Sequence, residues 1–173
     1  KGHRFLPDVY VFPGGRVDDS DFSVIPQTPL HPEVAEKLSL PGDLSHALAT
    51  AAVRETYEET GLVIGQVVHG QLVPDLANLD YIVRAITPTI SPIRFNTRFL
   101  MVDAQHTKGS LGGSGELVDL RWVSLDQAFK MPIVDITEFV LQEVRLRLSG
   151  KSVHETEFPL FTYFKGKPFI RRG

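Results

Sequence analysis

The segment VRETYEETGL, residues 53–62, places Glu55, Glu58 and Glu59 at i, i+3 and i+4, with Arg54 beside the first of them. On a helix this spacing puts three carboxylates on one face, where each like-charged pair costs about 0.2–0.5 kcal/mol in water and more in a cleft. Glu58 and Glu59 also fall in the last turn before Gly61, at the negative end of the helix dipole, where cations are favoured. Arg54 reaches Glu58 at i+4 in the weaker, arginine-first order, and one cation does not neutralise three anions. A chain that accepts this local cost usually recovers it through a ligand. Hard carboxylate oxygens in a chain without cysteine suit Mg2+, Mn2+ or Ca2+ better than Zn2+. A solvated acidic helix face has the same composition, so the cluster takes its meaning from its context.

The elements that must position these residues can be read outward from them. SHALATAAVRETYEET, starting at Ser45, has no helix breaker before Gly61 and is expected to be helical. Upstream, VYVFPGG reads as a short strand over Val9–Phe12, stopped by Pro13 and opened into a turn by Gly14 and Gly15. Residues 18–45 carry Pro26, Pro29, Pro32 and Pro41, a loop composition with one or two helical turns at PEVAEKL. Strands are expected at Leu62–Ile64, Tyr81–Ile86, Thr97–Val102 and Val118–Val123. DITEFVLQEVRLRL is expected to be the last helix, with Asp135 as N-cap and Ile136, Val140, Val144 and Leu148 on one apolar stripe. PLFTYFKGKPFI reads as a hairpin turning at Lys165-Gly166, within an aromatic tail at about 156–173. Phe158, Phe161, Tyr163, Phe164 and Phe169 exceed what a free tail needs, so they are expected to cover the domain or a second subunit. A homodimer through them is compatible with catalysis.

Helices interleaved with strands give an α/β chain, and 173 residues suit a single domain spanning 1–173. A net charge of -3 offers no basic field for nucleic acid. The absence of cysteine excludes disulfides and thiolate metal sites. No apolar run approaches the eighteen or so residues that span a bilayer, so no membrane partner is expected and a cytoplasmic location is. The chain starts at Lys1 without a methionine, so its natural beginning is expected to lie upstream.

FPGG followed by AAVRETYEETGLVI resembles the Nudix box, whose second half reads Arg-Glu-apolar-x-Glu-Glu-x-Gly-apolar. Arg54, Glu55, Glu58, Glu59, Gly61 and Leu62 match it, and Thr56 stands where an aliphatic residue is usual. The first half is stretched: Gly15 precedes Arg54 by 39 positions, 25 more than the pattern. Counted forward from Gly15, the first-half acid falls on Asp21; counted back from Arg54, it falls on His46. The resemblance implies an α/β/α sandwich with a mixed sheet, the box forming loop-helix-loop, and a further strand upstream of FPGG. It implies hydrolysis of a nucleoside diphosphate derivative with Mg2+ or Mn2+, held by Glu55, Glu58, Glu59 and the Gly15 carbonyl, with Arg54 orienting the carboxylates. Glu55 and Glu116 are the candidates for the base, Glu116 in a glycine-rich loop expected to close over substrate, with Asp119 a weaker third.

The substrate reading rests on less. The coenzyme A branch of the family carries an arginine at the spacing of Arg4, although Asp8 replaces that branch's glycine. FNTRF, residues 95–99, resembles a segment of the long-insert subgroup, and Arg94 and Arg98 could grip phosphate. A coenzyme A-like substrate is therefore favoured, with ADP-ribose, a nucleotide sugar, or a non-catalytic nucleotide-binding module as alternatives. The insertion at about 18–45 is expected to lie beside the active-site mouth, its deletion changing selectivity more than stability.

Overall fold

The fold is taken from a computed structural model that describes residues 9–87, 95–150 and 158–172. The described residues group into two compact units, one within Pro13–Asp80 and Met101–Trp122, the other within 9–12, 81–87, 95–100, 123–150 and 158–172. Arg4, Asp8 and Arg94 lie outside the described residues.

The first unit is built around two helices, α1 (Pro32–Leu38) and α2 (Leu44–Thr60), and a hairpin of β1 (Gly65–Val68) and β2 (Gln71–Pro74). Pro32 opens α1, where its missing N–H is not needed. Gly61 ends α2 in the left-handed conformation, and its N–H bonds the Tyr57 carbonyl. Ala47, Ala49, Ala51 and Val53 of α2 are buried. Small side chains on most sides let neighbouring segments come close to this helix, which is why it is alanine-rich. The hairpin turns at His69 and Gly70, both at positive φ.

The segment expected to be an excursion is part of this core. Leu30, Val34 and Leu38 are buried, and Gln27 N–H and Thr28 C=O bond the Pro74 carbonyl and the Leu76 N–H. His46 Nε2 ties the segment again at the Val24 carbonyl, 3.0 Å away. Deleting it is therefore expected to cost stability as well as to change selectivity. Leu38→Ala alone is expected to lower unfolding free energy by about 2–4 kcal/mol, read by urea denaturation. A change below about 0.5 kcal/mol would return the segment to the surface.

The second unit holds a sheet ordered β4-β3-β5-β6, from β3 (Asp80–Ile86), β4 (Asn96–Met101), β5 (Leu160–Phe164) and β6 (Lys167–Arg171). β3 and β5 run parallel and β5 and β6 antiparallel, so the sheet is mixed. The tail hairpin forms where expected, with Lys165 and Gly166 both at positive φ. Phe161 is buried, 5.3 Å from Phe139 of α4 (Asp135–Leu148), whereas Phe164 and Phe169 are exposed. A short helix, α3 (Leu125–Ala128), is capped by Ser124.

Four local expectations are corrected. Among the described residues Val9–Phe12 makes a single bridge, Tyr10 with Ile133. Leu62–Ile64 likewise contributes one bridge, Val63 with Lys108, and the strand begins at Gly65. Val118–Val123 forms no strand despite its alternation: Asp119 sits at positive φ, and Val118 and Trp122 are 82% and 64% exposed. In α4 the N-cap is Val134. The Asp135 carboxylate bonds the Ile136 N–H and the Tyr163 hydroxyl instead, and the buried set centres on Phe139, Val140 and Leu141 while Leu148 stays exposed.

Candidate active site

All of the box residues lie in the first unit. Because α2 is regular from Leu44 to Thr60, Glu55, Glu58 and Glu59 do project from neighbouring points near its C-terminal end. Glu59 Oε2 accepts the Gly14 N–H at 2.8 Å. The Glu55 carboxylate lies so close under Gly15 that any Cβ there would overlap it. These two carboxylates face the Gly14-Gly15 turn, while Glu58, with a half-exposed side chain, leans toward Arg54.

Arg54 is the hub of the cluster. Its Nε and Nη2 grip the two oxygens of Asp21 at 3.0 and 3.1 Å, a bidentate pair. Nη1 donates to Glu55 Oε1 at 2.9 Å and to Glu58 Oε2 at 3.3 Å, and Nη2 also reaches the Arg16 carbonyl at 3.0 Å. Asp18 adds an ion pair at 3.6 Å. Asp21 is fully buried and also accepts the Asp18 N–H at 2.8 Å. Of the two residues that counting offers for the first-half acid, Asp21 is the one paired with Arg54, while His46 is bonded to the Val24 carbonyl. Burial would raise the Asp21 pKa, but the hydrogen bonds from Arg54 and the Asp18 backbone, with the guanidinium charge, outweigh it and hold it low. The same hydrogen bond to Asp21 holds Arg54 firmly protonated.

Glu59 is the opposite case. It is buried and has no cation partner among the described residues. Burial first, then the charges of Glu55, Glu116 and Glu58, push its pKa up, against the lowering effect of the Gly14 N–H. Of the three box glutamates it is the one whose surroundings ask for a positive charge or a proton.

The loop carrying Glu116 is bonded to the end of α2. Gly112 N–H and Ser114 N–H each bond a last-turn carbonyl of α2, Thr60 and Glu58, both at 2.8 Å. Gly113 serves close approach: a Cβ there, at positive φ, would overlap the Glu59 carbonyl, whereas Gly115 stands in open space. The loop is thus tied to the C-terminal end of α2 at Gly112 and Ser114. Gly113→Ala is expected to lower unfolding free energy by about 1–3 kcal/mol, from left-handed strain and backbone crowding together. Wild-type stability by thermal melt would contradict this docking. Glu116 is exposed, and Asp119 is engaged by Arg121 at 2.6 Å.

Sequence reasoning missed the Gly14 N–H, the Arg16 carbonyl and Asp18 as parts of this network. Backbone donors carry no residue-type signal, and Asp18 is legible only as one more acid in RVDDSDF. Arg98, in the second unit, bonds Asn96 Oδ1 at 3.3 Å. Among the described residues no three acidic or histidine side chains converge as a ready-made metal cage. Glu55 and Glu58 are turned to Arg54, and Glu59 to Gly14. The donor chemistry nonetheless fits a hard divalent cation: every candidate is a carboxylate or carbonyl oxygen, and the acids outnumber the single guanidinium.

Residues 2–140 match the family profile described as NUDIX domain. The chain is also similar to the crystal structure of a NUDIX hydrolase from Alicyclobacillus acidocaldarius, at 27% identity and a TM-score of 0.57, covering 81% of this chain and 77% of that one. No curated protein matches the chain in sequence.

Proposed function

The chain belongs to the Nudix family, and on that footing we propose that it cleaves the pyrophosphate of a coenzyme A-like nucleoside diphosphate derivative with Mg2+ or Mn2+. It is a Nudix pyrophosphohydrolase, and its fold is the family's α/β sandwich with a mixed sheet. No described helix is long and apolar enough to cross a membrane.

The observation that carries the proposal is Glu59: a buried carboxylate, repelled by three others, held beside a two-glycine turn with no cation of its own among the described residues. Glu55, Glu58, Glu59 and the Gly15 carbonyl would hold the metal. Bound there, Mg2+ or Mn2+ supplies the charge that offsets the pyrophosphate oxygens and lowers the pKa of the attacking water. The chain's own residues do the rest. Arg54 fixes Glu55 and Glu58 from one side, and its anchor in Asp21 keeps the guanidinium from swinging away. Gly14 holds Glu59 through its N–H, and the glycine at 15 leaves the Glu55 carboxylate room. For the base, Glu116 is favoured over Glu55: Glu55 already accepts a hydrogen bond from a guanidinium, which weakens it as a proton acceptor, whereas Glu116 is exposed and within the electrostatic reach of Glu59. A non-catalytic module is disfavoured because all three glutamates are kept at an electrostatic cost that nucleotide binding alone would not require.

The substrate preference rests on Arg4, the long insert and the FNTRF segment. A hydrolysis screen of coenzyme A, ADP-ribose, dinucleotides and nucleotide sugars, with each metal, tests the whole proposal. Cleavage of coenzyme A ahead of the others, with a KM that rises selectively in Arg4→Ala, is the expected result. Preference for ADP-ribose overturns the substrate, and binding without turnover of any candidate overturns the enzyme.

A further inference from the structure

We propose that Arg84 on β3 and Arg98 on β4 form an anion site that takes a phosphate group. The two strands are neighbours in the sheet. Both guanidiniums lean on one neutral acceptor, the Asn96 side-chain oxygen, with Arg84 Nε at 2.9 Å and Arg98 Nη1 at 3.3 Å. Neither pairs with a carboxylate among the described residues. Arg98 Nε is buried and has no hydrogen-bond partner there.

The orphaned Nε is the feature that runs against ordinary surface chemistry. An arginine placed for solubility keeps its guanidinium in water, where every N–H is satisfied. A buried donor left unmade costs the desolvation of that group, and natural proteins keep few of them without a reason. Two like charges sharing one amide oxygen add repulsion to that cost. Burial, with the neighbouring Arg84 charge, lowers the Arg98 pKa, as expected of a cation held without a counter-ion. Tyr81, which feels both arginines, supplies no internal anion, because burial pushes its pKa up and keeps the phenol neutral.

The missing partner is an anion, and its geometry can be argued. Two planar forks offer several N–H donors from two directions, more than a single carboxylate accepts well and a match for the oxygens of a tetrahedral phosphate. A neutral asparagine between them, in place of an acid, leaves that charge available. The inference deepens the reading of Arg98 as a phosphate grip and rests on it, while its test does not depend on pyrophosphate cleavage.

The test is binding without turnover, on the full chain without added metal. Inorganic phosphate and adenosine 3′,5′-bisphosphate are titrated by calorimetry against the wild type, Arg98→Lys and Arg84→Gln. Binding to the wild type, weakened at least tenfold in each variant and reduced by added salt, is the expected result. Tighter binding of the bisphosphate than of phosphate identifies a nucleotide-borne group as the ligand, and equal binding identifies free phosphate. Arg98→Leu separates this role from a structural one: it should raise the Tm in phosphate-free buffer and abolish the Tm rise that phosphate gives the wild type. Equal affinity of all three proteins, no binding at millimolar phosphate, or a lower Tm for Arg98→Leu in phosphate-free buffer would overturn the site. None of these readouts depends on hydrolysis, so an inactive enzyme that still binds phosphate leaves the inference standing.

Discussion

Glu59→Gln should reduce turnover by about a hundredfold or more while leaving the protein folded. Loss of groups that merely support metal ligands already costs about 10–100-fold, and Glu59 is read here as a ligand. The amide keeps the shape and an oxygen for the Gly14 N–H, so geometry is preserved and only charge is lost. The same substitution should stabilise the metal-free protein at neutral pH. Glu59 has a folded pKa above its unfolded value, so ionising it costs stability. Its favourable contribution is complete below the unfolded glutamate value of about 4.3 and is lost as pH rises through the folded one. Wild type without metal should therefore lose stability across that window, and Glu59→Gln should not. Turnover within about threefold of wild type at saturating Mg2+ would remove Glu59 from the metal site, and parallel pH–stability curves would remove the burial argument.

Arg54→Met should be the most destabilising single change in the site, by about 3 kcal/mol. Removing one partner of a buried pair strands the other: about 3–5 kcal/mol is typical, and the low end applies because the Arg54 side chain keeps 20% exposure while Asp21 keeps 1%. Turnover should fall with it, since Glu55 and Glu58 lose the donor that orients them. Arg54→Lys should recover part of the stability and little of the activity. One ammonium cannot span Asp21, Arg16, Glu55 and Glu58 as the planar fork does. The pH dependence has the sign opposite to that of Glu59. The folded pKa of Asp21 lies below its unfolded value, so the pair's contribution is full above the unfolded aspartate value of about 3.9 and is lost as pH falls through the folded one. Asp21→Asn should flatten that acid limb. Chemical denaturation between pH 3 and 7, compared with single-turnover rates, reads both effects; an Arg54→Lys enzyme as active as wild type would show that charge alone suffices.

By itself the sequence determined whatever depends on neighbours along the chain. The α2 helix, its end at Gly61, the one-face spacing of Glu55, Glu58 and Glu59, the Arg54–Glu58 contact and the tail hairpin at Lys165-Gly166 come from a helical period or a turn dipeptide. The α2 residues among these also carried the family resemblance, so the family was legible before the fold. Tertiary structure decided whatever depends on which distant segment arrives. Asp21 and His46 were equal candidates by counting, and only the return of the chain to Arg54 chose Asp21. The proline-rich segment read as a loop excursion, yet Leu30, Val34 and Leu38 are buried, because apolar residues at helical spacing need a facing partner that local sequence does not name. Val118–Val123 had the alternation of a strand but no strand formed there, since a β-ladder needs a second chain segment to bond with. The glycines before Glu116 could mean flexibility or close approach; Gly113 meets the end of α2 at close approach beside the docked Gly112 and Ser114, and Gly115 lies in open space. Local periodicity is written in a few adjacent residues, whereas pairing and burial are relations between segments that the sequence holds far apart.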